Sequence, residues 1–393
     1  MSRGSRLGIQ GSSVGSADDS GVRGEPASSD DAPESQTKGL LLDRALLQDW
    51  VTRALTSAGL RRVDAATVAD SLLFADRRGI VTHGVARVPM YVQRIAAGGI
   101  RVDTFPETVL DAGAVCVVEG NSTAGAVAAV HAARVAVAKA RENGIGLSLV
   151  RGANDIGALG YYATLLAADG CIGFVACNTD AVMCAPGSAT PVLGNNPLAM
   201  AVPGTCVVLD MATSVAAYGK ITLAKARGHT IPEHWALDES GRPTTDPAAA
   251  LRGALLPAAG PKGFGLAFMI DVFAALAGAN TSPFVPKFDG APGNPQNLGL
   301  ILLALRTSAV ADRDVFAASV HRLIEAIHAS SRRMTGEALV PGEPESRVAQ
   351  SLGNSVLVEA GLVDELFAVA TDLGVPFPKH AIGAKNPSRP SPA

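Results

Sequence analysis

The stretch VCVVEGNSTAGAVAAVHAARVAVAKARENGIGLSLV, residues 115–150, decides the fold class. It opens with a short β-branched apolar run, passes through a polar Gly/Asn/Ser/Thr turn and enters a long Ala-rich segment. It closes on a second apolar run. The spacing predicts a strand at 115–119, a helix at 125–142 and a strand at 147–150, the alternation of an α/β core. Further strands are expected at 173–178, 198–202, 207–211 and 298–305, with a helix at 158–168 between the first of these and the strand before it. Outward from this middle the chain turns helical. Asp43 opens a helix to about Ser57. Asp64 reads as the N-cap of a helix over 65–78, ended by Gly79, and a third helix is expected over 85–97 with Pro89 in its first turn. Later helices are expected at 264–277, 314–330, 345–360 and 363–373.

These elements divide the chain into an α/β part at 113–312 and helical parts at 39–112 and 313–384, with the two helical ends packing together. Residues 1–38 are Ser/Gly/Asp-rich without apolar periodicity and read as a disordered extension; 385–393 read as a tail. The 393 residues are 48% hydrophobic with a formal net charge of -3. That balance argues against a nucleic-acid partner, and no apolar run is long enough to span a membrane. No signal-like apolar region is seen near the start. The odd set Cys116, Cys171, Cys177, Cys184 and Cys206 contains no CxxC pair, which together imply reduced thiols and a cytoplasmic protein. No cluster has a metal-site spacing, so no metal is expected.

ADRRGIVTHGVARVPMYVQRIAAGGI, residues 75–100, carries the densest chemistry. His83 can exchange protons near neutral pH, Thr82 can orient it, and Arg87 can grip a carboxylate. The alternatives are a helix-end histidine bonded to backbone and a surface arginine. Asp155, in RGANDIGALGYY after a strand, could cap the next helix. Near a helix N-terminus it would be held as an anion and be a poor proton donor. The polar passage NTDAVMCAPGSATPVLGNNPLAM at 178–200 joins two core strands. In VVLDMATS, Asp210 ends a strand, and Thr213 and Ser214 could cap the next element. Lys262 stands at a helix start in PKGFGLAFMIDVF, and VPGEPE at 340–345 reads as a turn. Neither GxGxxG after a strand nor GxxxxGK[ST] occurs.

In order, these segments, together with HWALDESGRPTTDPAAALRGALLP at 234–257, resemble the malate/L-lactate dehydrogenase family of the second type. That family includes ureidoglycolate and sulfolactate dehydrogenases and Δ1-piperideine-2-carboxylate reductases. The resemblance runs from about residue 40 to 373. It implies a family-specific, non-Rossmann nicotinamide-binding domain with a largely antiparallel sheet, NAD or NADP as cofactor, a small carboxylic acid substrate and a homodimer. The activity implied is hydride transfer to or from a 2-hydroxy or 2-oxo acid. Reduction of a cyclic 2-imino acid is the first alternative, and a non-catalytic ligand-binding relative the second.

By the resemblance, His83 is the proton donor and Thr82 its partner. Arg87, Asn195, Tyr218 and Gly219 meet the substrate. Asp155, Ile156, Gly157, Ala158 and Leu159 meet the cofactor, with Asp180, Asp210, Met211, Ala212, Pro261, Lys262, Gly263, Pro341, Gly342 and Glu343. The chain departs from the family pattern at four places. Thr82 replaces a serine, Asn195 a threonine, Pro261 a histidine, and Asp155 a histidine that some members use as base. His83 is then the one acid/base histidine left in the site.

Overall fold

The computed structural model describes residues 39–333 and 337–378. The extension expected at 1–38 and the tail expected at 385–393 lie outside the described residues. The chain is a mixed α/β protein built on a seven-stranded sheet. Its order is Glu107–Ala112, Val115–Glu119, Ile145–Ala153, Leu298–Arg306, Cys171–Cys177, Leu198–Ala201 and Val208–Met211. Five of the six pairings are antiparallel; the exception joins Val115–Glu119 to Ile145–Ala153 through the Ala-rich helix Gly125–Asn143. This is not the parallel doubly wound sheet that a GxGxxG turn serves.

The central strand LGLILLALR is apolar at nearly every position because both of its faces are covered. Leu298, Leu300, Leu302 and Ala304 point into the main core with helices Gly125–Asn143 and Leu159–Ala168. Ile301, of opposite parity, packs with Leu149, Ala176 and Ile270 against helix Pro261–Ala277. Apart from Lys262 in its first turn and the buried Asp271, that helix is apolar on every side. Its inner face is buried, while Leu266, Phe268, Met269, Val272, Phe273 and Leu276 remain exposed.

Around the sheet lie helices Arg44–Ser57, Arg62–Arg77 and Ala360–Asp372. The two ends of the described chain meet in an antiparallel pair, Gly39–Asp43 with Ser355–Glu359. This corrects the expected helix 345–360. The helix is Glu343–Leu352, Gly353 ends it at φ +55°, and the β-branched run SVLVE continues as a strand. Asp64 is not the N-cap of its helix, which starts at Arg62; it sits in the first turn, 2.6 Å from Arg61 Nε. The expected helix 85–97 begins as two 3-10 turns, Val81–His83 and Val85–Arg87, and becomes α-helical only over Val88–Ala96. All five cysteines are free; four are buried and Cys206 is exposed. A small four-stranded sheet, with strands Met183–Cys184, Pro191–Leu193, Ala236–Leu237 and Ala254–Leu255, has too few residues per strand to show as a period in sequence.

Candidate active site

Helix Arg62–Arg77 stops where Gly79 takes φ +74°, and the chain turns sharply through residues 80–87. Two features hold this turn. Val85 N–H donates to Asp76 Oδ2 at 2.8 Å, and Asp76 itself is buried. Arg87 Nε donates to the carbonyl of Thr82 at 2.7 Å, which folds the arginine back over the histidine turn. Within it, Thr82 Oγ1 and His83 Nδ1 are 2.9 Å apart. With Nδ1 donating to the hydroxyl, Nε2 is left free to take a proton. Thr82 is in turn backed by the Tyr218–Gly219 segment, since a Cβ at Gly219 would stand 2.9 Å from Thr82 Oγ1.

The half-buried His83 is uncharged at neutral pH. Burial, and after it the Arg87 guanidinium, lower its pKa to about 4, against the opposing pull of Asp155. Arg87 lies over the Phe288 ring, 4.2 Å from its centroid, and its Nη1 stands 3.8 Å from Asp155 Oδ2. Asp155 does not cap the following helix, whose N-cap is Ala158 with no side-chain bond. Its backbone is fixed instead, N–H to Gln296 Oε1 at 2.9 Å, which leaves the carboxylate facing Arg87.

Asp180 lies beside Phe288, and burial raises its pKa. Tyr218 lies near Asp289 and Asp180, and burial with these carboxylates pushes its phenol up to about 12. Asn195 lies on the adjoining loop, accepting from Thr179 Oγ1 at 3.0 Å. Thr213 caps no helix: its N–H and hydroxyl both donate to the Asn195 carbonyl, at 2.9 and 3.0 Å. Ser214 likewise donates to the Ala216 carbonyl. The loops at 178–180 and 194–197 are tied down by one buried carboxylate. Asp271 accepts from Asn178 Nδ2 at 2.9 Å and from Asn196 Nδ2 at 3.2 Å.

A second region adjoins the first. Gly160 N–H donates to Asp210 Oδ2 at 2.7 Å, and Val208 N–H donates to the Pro341 carbonyl at 2.9 Å. A cavity of about 360 Å³ opens here, with Phe74, Arg78, Ile80, Asp210, Pro341 and Glu345 among its lining. Asp210 keeps a solvent-facing edge, yet the protein around its carboxylate pushes its pKa up to about 6. Gly342 also lines the cavity. The Glu343 carboxylate is taken up by His328 Nε2 and Arg347, both at 2.8 Å, and by the Val340 N–H. Met211 pairs with Leu198 at the sheet edge, and Ala212 comes directly after it. Lys262 and Pro261 are exposed in the first turn of their helix. Gly263 there is buried close to the Thr213 and Ala258 backbone.

The structure therefore brings Thr82, His83, Arg87, Asp155 and Gly219 together, and sets Asp210 beside Pro341 and Gly342. Sequence reading missed Asp76, Phe288, Gln296 and Glu345. Asp76 lies in the quoted run but looks like any polar residue of a helix end. Phe288 and Gln296 lie in an irregular Pro/Gly-rich loop with no period to mark them. Among the described residues no group of three or more His, Cys, Asp or Glu is placed to hold a metal ion.

A family model described as malate/L-lactate dehydrogenase matches residues 42–366. The L-sulfolactate dehydrogenase of Methanothermobacter thermautotrophicus is 34% identical over 332 residues, 83% of this chain and 95% of that protein. The ureidoglycolate dehydrogenase (NAD(+)) of Escherichia coli strain K12 is 40% identical over 240 residues, 60% of this chain and 68% of that protein. The solved sulfolactate dehydrogenase from Methanocaldococcus jannaschii superposes with a TM-score of 0.80 at 32% identity, covering 86% of this chain and 98% of that one.

Proposed function

Since the chain belongs to the malate/L-lactate dehydrogenase family and is an oxidoreductase, we propose that it moves a hydride between a nicotinamide cofactor and C2 of a small 2-hydroxy or 2-oxo acid. The observation that carries this reading is the joint placement of a hydroxyl-held, uncharged His83 and an arginine fixed over it.

Bound NAD or NADP supplies or accepts the hydride. The chain's residues do the rest. Arg87 receives the substrate carboxylate through Nη1, which is buried and has no hydrogen-bond partner. That fixes C2 beside His83 and orients the C2 oxygen. In the oxidative direction neutral His83 takes the hydroxyl proton on Nε2, with Thr82 holding Nδ1. The substrate carboxylate offsets the Arg87 charge that helps keep His83 neutral, so the histidine holds the proton more readily in the complex than alone. In the reductive direction the protonated ring returns it to the carbonyl oxygen.

The second region suits the cofactor. The cavity falls within the roughly 300–1,000 Å³ of small-molecule sites. Apolar walls from Phe74, Ile80, Val208 and Leu209 flank the Asp210 carboxylate, an acceptor suited to ribose hydroxyls. We assign Asp210, Met211, Ala212, Pro341 and Gly342 to this end of the cofactor, with the loop from Asp155 to Leu159 running between the cavity and His83. Asp180, Pro261, Lys262 and Gly263 are assigned to the same cofactor path, and Glu343 acts by holding the Pro341–Gly342 turn. Asn195, Tyr218 and Gly219 complete the substrate side.

We further propose that the chain works as a homodimer. The apolar face of helix Pro261–Ala277 and helix Arg313–Ala329, which buries no residue in the single chain, support a second copy as occupant.

The test is a panel of 2-hydroxy acids with NAD+ or NADP+, and of 2-oxo and cyclic 2-imino acids with the reduced cofactors, read by absorbance of the reduced nicotinamide. Turnover of at least one 2-hydroxy/2-oxo pair is expected. Cofactor binding with no turnover across the panel would instead mark a non-catalytic relative.

A further inference from the structure

Arg87 Nη1 and Asp155 Oδ2 form an unfinished pair. Both atoms are buried, neither has a hydrogen-bond partner, and they stand 3.8 Å apart. That separation is too long for a hydrogen bond. Buried polar atoms in folded proteins nearly always find partners, so two orphans of opposite sign beside His83 mark a place where the partners come from outside the chain. The two residues are anchored differently. Arg87 is held by the Thr82 carbonyl and by Phe288, and the Asp155 backbone by Gln296.

We propose that Asp155 determines specificity. It confines the site to acids with a single negative charge whose remaining C2 substituent offers an N–H or O–H, and it disfavours substrates with a second carboxylate or a sulfonate. This rests on the functional reading above and names its substrate class. A substrate carboxylate satisfies Arg87. The group that then meets Asp155 Oδ2 must donate, because an ionised carboxylate only accepts. A hydroxyl, amide, ureido or iminium N–H does so; a second anion would meet like charge at close range. Asp180 and Asp289 add negative charge along the same loop cluster. Arg94, a second cation within electrostatic reach of Asp155, is buried with Nη2 on the Asn294 carbonyl at 2.7 Å.

Two measurements on the full chain test this, one of them independent of turnover. Calorimetric titration with oxamate and with oxalate, in the presence of the reduced cofactor, compares a monoanion bearing N–H donors with a dianion of the same size. Oxamate is expected to bind more tightly, by about tenfold, which corresponds to about 1.4 kcal/mol. Asp155→Asn, near-isosteric and able to donate, is expected to abolish or reverse that preference. In parallel, the ratio of kcat/KM for glycerate, whose remaining C2 substituent carries an O–H, to that for malate or sulfolactate is expected to fall by a similar factor in Asp155→Asn. Equal affinities, tighter oxalate, no binding of either by the unaltered protein, or ratios unmoved by the substitution overturn the proposal. An oxamate preference lost in Asp155→Asn, without turnover of any acid, leaves the role of Asp155 standing and refutes the dehydrogenase reading instead.

Discussion

Asp76 stands in the space that a side chain on Gly84 would need. One of its oxygens fills the position of a Cβ there, and the other accepts the Val85 N–H at 2.8 Å. The turn so fixed carries His83 immediately before Gly84 and Arg87 three residues after it, so the spacing of the two reactive side chains depends on this carboxylate–glycine fit. Gly84→Ala must push Asp76 aside and orphan a buried N–H, a loss of roughly 1–3 kcal/mol. A lower urea midpoint together with a lower kcat/KM is expected. A variant with unaltered stability and turnover would show that the fit constrains nothing.

The same carboxyl makes stability depend on pH. Burial pushes Asp76 up to about 7 from an ordinary 3.8, against the pull of the Val85 N–H. Because the folded value is raised, its stabilising contribution is complete below the unfolded value of 3.8 and is lost as pH rises through about 7. Asp76→Asn keeps an acceptor and removes the titration. Urea midpoints of the two proteins should therefore diverge with rising pH across this window, the unaltered protein losing ground. A constant difference would contradict the assignment.

His83 has the opposite sign. Its pKa is lowered from 6.5 to about 4, chiefly by burial. The unfolded chain takes up this proton first as pH falls, so stability present above pH 6.5 is lost as pH falls through about 4. Arg87→Gln removes a lowering influence and should move the His83 midpoint up; Asp155→Asn removes the raising one and should move it down. Opposite displacements in an NMR titration of the His83 ring are the expected result, and displacements in the same direction would refute the arrangement of charges.

As the acid/base group, His83 should be worth roughly 10²–10⁴-fold in turnover. His83→Gln is expected to lose that much in kcat while cofactor affinity stays unchanged. Thr82→Val, which keeps the shape but not the hydroxyl, should lose less, and Thr82→Ser should recover the loss. Unchanged kcat in His83→Gln would remove His83 from the chemistry.

The range of each interaction decides how far it is legible in the sequence. The strand at 115–119, the Ala-rich helix and the apolar central strand announce themselves because burial on one or both faces imposes a local period. The His83, Thr82 and Arg87 cluster is also local, eight backbone positions folded by one glycine and two hydrogen bonds. Ser355–Glu359 is hidden because five residues beside a helical run read as its continuation, and its partner Gly39–Asp43 lies some three hundred residues away. The facing of Asp155 onto Arg87 is equally out of reach. It depends on Gln296 gripping the Asp155 N–H across 141 residues of chain, and the local alternative, a helix cap, is the plain expectation.

The cavity beside Asp210 yields the last expectation. Gly342 sits there at φ +84°, and a Cβ on it would meet the Val208 backbone. Gly342→Ala is thus strained twice over and should open the turn that places Pro341 against the cavity. The Asp210 carboxyl, raised to about 6 by its surroundings, is ionised above that pH and neutral below it. If its carboxylate accepts from the ribose hydroxyls of the cofactor, affinity for NAD+ or NADP+ should fall as pH drops through about 6. The fall should be about tenfold, as for one charge-assisted hydrogen bond. Asp210→Asn should bind weakly at every pH and show no such fall. Calorimetric titration between pH 5 and 8 reads this directly. Parallel curves for the two proteins would mean that Asp210 serves the Gly160 N–H alone and that the cofactor lies elsewhere.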